Sequence, residues 1–279
     1  MAAVETLITD HLDLWTTALK RKSTVGRGSS YKVELYGIKK LRELILELAV
    51  RGLLVPQDPN DEPASELLKK IAVEKAKLLK AGKIKKEKPL PPIGDGEKSF
   101  DIPSSWEWCR LQDISEYIQR GKGPAYADSG LVRVVSQKCV QWSGFDISAS
   151  RFVDDASLSG YKEERFLQSQ DLLWNSTGTG TVGRANVLGM IAEKTLVADS
   201  HITVVRTLDV NAKYFCNYIC SPGVQNRIEP SHESSLVSGS TQQVELNTSA
   251  VVLLPTPVPP LLEQHRIVAK VDELIALCD

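Results

Sequence analysis

Apolar residues recur at helical spacing through the first third of the chain. Between Val4 and Lys20, residues Leu7, His11, Leu14, Trp15 and Ala18 fall along one stripe, which predicts an amphipathic helix. A Gly/Ser-rich break follows over residues 26–30. Ile38, Leu41, Ile45 and Leu48 then step by three and four, and the run stops at Gly52, a residue type that ends helices because it tolerates left-handed backbone angles. A turn-rich connector over residues 56–62 leads to Pro63, whose fixed φ suits the first turn of another helix. That helix carries Leu67, Leu68, Ile71, Leu78 and Leu79 and is expected to end at Gly82. Lys83 to Pro92, rich in lysine and proline, predicts an irregular linker.

From about residue 100 the pattern changes to short β-branched runs between turn residues. Strands are expected over Leu131–Val135, Phe145–Ile147, Val187–Ile191, Ile202–Arg206 and Val251–Leu254, with one helix over Ala212–Ile219. The mixture predicts an α+β fold. Past Pro259 and Pro260, residues Gln264, Ile267, Val271, Leu274 and Cys278 step by three, four, three and four, the seam of a coiled coil. A helix this short is marginal alone and needs a surface to pack on. The Ile38–Leu48 stripe is one such surface and a second chain is another. Three regions result: helices and linker over 1–99, a mixed α/β domain over 100–258, and the start of a long coiled-coil helix over 259–279.

Composition narrows the classes. The chain is 42% hydrophobic and 25% charged, which is ordinary for a soluble globular protein. No apolar run is long enough to span a bilayer, so no membrane association is expected. The N-terminus lacks a basic segment leading into an apolar core, so a secretory signal is not expected. The five cysteines, Cys109, Cys139, Cys216, Cys220 and Cys278, are odd in number and scattered, which points to reduced thiols and a cytoplasmic location. Residues 1–99 hold 19 lysines and arginines against 14 acids, whereas residues 100–260 hold 13 against 17. A nucleic-acid role for the central region therefore requires its cations to gather on one face. The nine lysines from Lys69 to Lys88 oppose only Glu74 and Glu87. Such a run is usually a solvated helix face, with phosphate contact as the alternative.

Gly178-Thr-Gly180-Thr-Val-Gly183 satisfies the dinucleotide fingerprint, with Asp199 at a plausible distance for a ribose contact. The context is wrong, because that fingerprint must open a helix and the residues that follow read as a strand. A phosphate-binding P-loop fails too, since Arg184-Ala185 stands where Lys and Ser/Thr belong. A nucleotide-dependent enzyme using Gly178–Gly183 remains one alternative; a pure assembly module is another. The local reading is a polar loop of small residues, Asn175, Ser176, Thr177, Gly178, Thr179 and Gly180, with Arg184 behind it. Small side chains let backbone N–H groups approach a phosphate, while Asn175 and Arg184 can reach base edges. The bland reading is a tight turn between strands. Ser238 to Gln243 has the same chemistry in Ser240 and Thr241, and adds Gln242 and Gln243, which can pair with adenine. Arg120 and Lys122 put two cations on what reads as a flexible turn, and Gln137 and Lys138 follow a predicted strand. Four donor-rich loops in one domain make a binding surface. The four histidines have no metal-ligand spacing, Cys216 and Cys220 lack a second pair, and no hydrolase elbow occurs, so no metal, cofactor or catalytic centre is expected.

Several blocks in a fixed order carry a resemblance: Lys40-Leu-Arg-Glu-Leu-Ile-Leu-Glu-Leu-Ala-Val-Arg-Gly52, Leu54 to Leu68, Ile102-Pro-Ser-Ser-Trp106, Asp171-Leu-Leu-Trp174, Ser238-Gly-Ser-Thr-Gln242, and Pro259 to Leu274. Over nearly its whole length the chain resembles the specificity subunits of type I restriction–modification systems. The resemblance implies a non-catalytic protein whose target recognition domain reads one half of a split double-stranded DNA sequence. It implies that conserved helices dock the methylase subunits, with Ile38, Leu41, Ile45, Leu48, Ile267, Val271 and Leu274 on the docking helices, and that the restriction subunit joins through the complex. Methyl-donor and ATP chemistry would belong to those other chains. A complete family member has two recognition domains and two spacers, so this chain is either a fragment or a half-subunit. In the second case it would pair with itself through the spacer helices on a palindromic split target.

Overall fold

The computed structural model describes residue 6 and residues 10–23, 31–178, 180–240 and 243–278. Helix α1 (Leu12–Thr17) ends earlier than its apolar stripe suggests, because Lys20 already pairs with Glu34 in an antiparallel hairpin of β1 (Lys20–Ser23) and β2 (Tyr31–Glu34). Helix α2 (Tyr36–Val50) buries Gly37, Leu41, Ile45 and Ala49, one residue every four positions. Ile38 and Leu48 flank that line half-buried. Gly52 ends the helix as expected: it sits at φ +71°, its N–H donates to the Ala49 carbonyl, and the Leu53 N–H donates to that of Leu48. Helix α3 (Ala64–Lys80) closes in the same way at Gly82. The lysine-rich segment after it is irregular up to a short 3₁₀ turn at Asp95–Glu97.

The central domain is built on an antiparallel sheet. Its strands β4 (Ser115–Arg120), β10 (Leu172–Asn175), β11 (Ala185–Val187) and β13 (Ile202–Thr207) lie in the order β11-β10-β13-β4. A second, mixed sheet contains β5 (Tyr126–Ala127), β6 (Arg133–Val135), β9 (Arg151–Val153) and β12 (Leu196–Ala198), with β6 and β12 parallel. Strand β10 is buried on both faces. Leu172 and Trp174 join the core shared with the helices, whereas Leu173 packs with Val135, Cys139 and Leu196 on the other side. Helix α5 (Ala212–Cys220), expected from its pattern, is capped by the Asn211 side chain. Two short hairpins, β7 (Val140–Gln141) with β8 (Gly144–Phe145) and β14 (Val237–Ser240) with β15 (Gln243–Leu246), and a long-range antiparallel pair, β3 (Glu107–Arg110) with β16 (Pro255–Val258), complete the domain.

Three strand expectations need correction. The Val251–Leu254 run falls on helix α7 (Thr248–Val252) and the turn after it, and pairing with β3 begins only at Pro255. Val251, inside α7, and Leu254, just past its end, are both fully buried. The run expected at Val187–Ile191 is a strand only at its first residue: Leu188 still exchanges hydrogen bonds with Asp171 and Gln170, but Gln170 takes φ +71° and the pairing ends there. Ile147 does not continue β8; the Asp146 carboxylate caps a 3₁₀ turn there.

Helix α8 (Leu261–Ala276) buries Gln264, Ile267, Val271 and Leu274, the seam read from the sequence. That seam packs on α2 and α5 of the same chain, and Leu41, Ile45 and Ala49 share its cluster. Leu41, Ile45, Ile267, Val271 and Leu274, expected to face a partner, are thus covered within the chain. The shared cluster runs from α2 through α8 to Leu172, Trp174 and Tyr214 of the central domain. Helices and sheet therefore form one continuous core.

Candidate nucleic-acid interface

Strand register sends several loops out at one end of the central sheet. Asn175 at the end of β10 pairs with Ile202 at the start of β13, Arg120 at the end of β4 pairs with Thr203, and Ala185 at the start of β11 pairs with Trp174. The loops after β4 and β10 and those before β11 and β13 therefore emerge together. The β14–β15 hairpin joins them: the Leu246 N–H donates to the Ser176 carbonyl at 2.7 Å, Thr177 bridges to Glu245, and Arg120 pairs with the Glu245 carboxylate. Thr177 Oγ1 meets His201 Nδ1 at 2.6 Å. The 137–141 turn is bound in as well, by Thr181 Oγ1 donating to Gln137 Oε1 at 2.9 Å and by Arg184 bonding Gln141.

Within this network the expected site residues separate into anchors and exposed groups. Asn175, expected at a base edge, is fully buried; its amide donates to the carbonyls of Gln137 and Val140 at 3.1 and 3.2 Å and holds the turn in place. Ser176 is also buried, its hydroxyl 2.5 Å from Thr203 Oγ1, so it too is an anchor. Gln137, Thr177 and Arg184 are half-buried at the rim, and Arg184 Nη2 donates to the Gly180 carbonyl at 2.6 Å. Lys138 is exposed. Lys122 is exposed but steadied, with Nζ 3.2 Å from the Gly160 carbonyl and 5.3 Å from the centre of the Tyr161 ring. Its loop is not the flexible turn expected from its glycines: a Cβ on Gly121 would lie 2.2 Å from the Ala198 carbonyl. Thr179, Thr241 and Gln242 lie outside the described residues, while Ser240 and Gln243 are placed by their backbone at the turn of the β14–β15 hairpin.

The glycine loop has its own geometry. Gly178 takes φ +97°, and a Cβ there would lie 2.4 Å from Thr181 Oγ1 and 2.6 Å from Gln137 Oε1, so only glycine lets the loop close against the 137–141 turn. After Gly183 the chain enters β11 instead of a helix, which removes the geometry a dinucleotide site requires.

Three groups at this face were not singled out in the sequence. His201 is exposed with its ring oriented by Thr177. Trp142, 59% exposed, stands at the tip of the β7–β8 hairpin next to Gln141. Glu245 sets a carboxylate against Arg120. A tryptophan in a polar Gln-Trp-Ser-Gly turn was the available signal for Trp142; nothing local marks His201 or Glu245. Beneath them, burial raises the Asp199 carboxyl above its ordinary range, against the pull of the His201 N–H and of the His201 and Arg120 side chains. On the same sheet, the Asp171 carboxylate holds Arg206 bidentately at 2.7 and 2.8 Å, which explains the aspartate of the Asp171–Trp174 block structurally.

Residues 103–279 match the family described as the type I restriction modification DNA specificity domain. The specificity subunit of the Escherichia coli type I restriction enzyme EcoAI is 41% identical over 99% of this chain and 46% of its own length. That of EcoEI, also from Escherichia coli, is 40% identical over the same shares. The chain thus spans about half the length of these curated relatives. Among solved structures, the HsdS subunit from Thermoanaerobacter tengcongensis aligns with 96% of this chain and 61% of its own, at 17% identity and a TM-score of 0.47. A chain from a type I R-M system assembly covers 98% and 61%, at 17% identity and 0.48. By the family match and the identity to its curated relatives, this chain belongs to the type I restriction–modification DNA specificity family.

Proposed function

We propose that the chain recognises a specific double-stranded DNA sequence through the face where the loops at 120–122, 137–142, 176–184 and 199–201 meet the β14–β15 hairpin. The observation that carries this reading is their convergence: residues distant in sequence are bonded into one polar rim around Thr177, Gln137, Arg184 and Arg120. Arg120, Lys122, Lys138 and the backbone N–H groups of the glycine loop are assigned to phosphates. Arg184, His201 and Gln243 of the hairpin, with Gln242 beside it in sequence, are assigned to base edges. Asn175 and Ser176 hold the rim from below.

On this reading the chain is a non-catalytic specificity component that reads one half of a split target. Helix α8 is the beginning of a spacer. Methylase subunits dock on the outer faces of the helices, since the inner seam is covered, and the restriction subunit joins through the assembly. Pairing with a second copy would also have to use surfaces other than that seam. A nucleotide-dependent enzyme is disfavoured because the glycine loop runs into a strand. Binding of Arg184→Ala to matched and scrambled duplexes tests the assignment. A loss of about 1–3 kcal/mol confined to the matched duplex is expected for a base contact. Equal weakening on both would make Arg184 a phosphate contact, and absence of any sequence preference in the unaltered protein would overturn the function.

A further inference from the structure

Three segments far apart in sequence meet where α8 begins. The Glu263 carboxylate, 1% exposed, accepts from the Trp106 indole N–H at 2.9 Å through Oε2 and from the Gln57 amide through Oε1. The Ser105 hydroxyl donates to Gln57 Oε1 at 3.0 Å, and the Ala64 N–H donates to the Ser105 carbonyl at 2.9 Å. One turn along α8, both terminal nitrogens of Arg266 bond the Asp61 carboxylate. The next residue after Glu263 reaches the central domain. Gln264, fully buried, accepts from the Asn211 N–H at 2.9 Å and donates to the Pro259 carbonyl at 2.9 Å. Asn211 is the residue whose side chain caps α5. Two adjacent buried polar side chains therefore tie the first turn of α8 to the 57–64 connector, to the 105–106 segment and to α5.

The apolar seam of Ile267, Val271 and Leu274 decides which face of α8 turns inward. Apolar burial is non-directional, so a seam alone tolerates sliding and tilting of the helix. Hydrogen bonds to a carboxylate have fixed lengths and directions. Glu263 has two neutral donors as its hydrogen-bond partners, and its burial disfavours the charge it carries. A buried polar group of this kind is retained where it selects one register among several.

We propose that Glu263 is a positioning residue: bonded to Trp106 and Gln57, it sets the angle and register of α8 against the central domain. On the DNA-reading function proposed above, it thereby sets the direction in which the helix leaves the bound duplex.

The test uses the full chain carrying a donor and an acceptor fluorophore through unnatural amino acids at positions 148 and 273, both exposed and on the two bodies concerned. In the unaltered protein the distance distribution is expected to be narrow. Glu263→Ala is expected to roughly double its width, as two arrangements compete. Gln57→Leu, which deletes the other donor to Glu263 at an exposed position and at similar volume, is expected to broaden it in the same way. Glu263→Gln is expected to restore the narrow distribution, because Gln57 can turn over and present its carbonyl. A donor at 273 and an acceptor on the end of a bound duplex should broaden in parallel, with affinity for the duplex held within about twofold because Glu263 bonds Trp106 and Gln57 and not the loops of the rim. If Glu263→Ala fails to fold, Gln57→Leu decides. A wild-type width in the folded variants overturns the proposal. Failure of the unaltered chain to bind any duplex overturns the DNA reading alone, since the intramolecular pair still judges the joint.

Discussion

Arg110 is almost wholly buried, yet all three of its guanidinium nitrogens are hydrogen-bonded. Its guanidinium bonds both oxygens of Glu97 at 2.6 and 2.9 Å and reaches the carbonyls of Pro91, Pro92 and Leu253. These bonds, with a further one from the Gly94 N–H, lower the Glu97 carboxyl from 4.5 to about 2. A depressed carboxyl contributes stability that is present above its unfolded value and lost as pH falls through the folded one. Glu97→Gln should therefore destabilise the protein at pH 7, by about 1 kcal/mol after allowance for the exposure of the carboxylate. In thermal unfolding the gap to the unaltered protein should close as pH drops from 4.5 toward 2. A gap independent of pH would mean the contact is merely steric. Sequence reading goes wrong at this scale too. Asn175 has the chemistry of a base-reading residue, but its amide is turned inward onto two carbonyls. Composition reports donor capacity, and only packing determines the direction in which it is offered.

At the scale of elements, α2 and α3 end on glycines with nearly the same backbone angle, φ +71° at Gly52 and φ +69° at Gly82. Their surroundings differ. A Cβ on Gly82 would meet nothing within 4 Å, whereas one on Gly52 would lie 2.5 Å from Pro103 Cγ and 3.1 Å from Trp106 Cζ2. Gly82→Ala should cost about 1 kcal/mol, the left-handed penalty alone. Gly52→Ala should cost more, because the segment bearing Trp106 must also move. Denaturant unfolding of the two variants separates the contributions, and equal losses would refute the packing term. The helices were legible in the sequence because apolar positions recur with the helical period and each run ends in a specific stop residue. Short strands were less so. A run such as Val251–Leu254 is equally apolar as strand or helix, and the partner that decides, β3, lies far away in the chain.

For the whole molecule, the acidic balance of residues 100–260 is an apparent obstacle to DNA binding. The structure places one of those acids, Glu245, directly on a cation of the proposed interface, Arg120. Glu245→Gln should free that cation, tighten binding to non-specific duplex and steepen the dependence of log K on log salt by about one unit. An unchanged slope would show that Arg120 does not reach phosphate. The order of helices, linker, α+β domain and terminal seam helix is set by local pattern, since periodicity, caps and turn residues act over a few residues and can be read along the chain. Two things are tertiary. One is that the loops after β4, β10 and β12 and the β14–β15 hairpin share a rim, which follows from strand register. The other is that the seam of α8 closes on α2 and α5 of its own chain. An apolar stripe specifies that something must cover it, but not what, because burial of apolar surface is indifferent to which surface provides it.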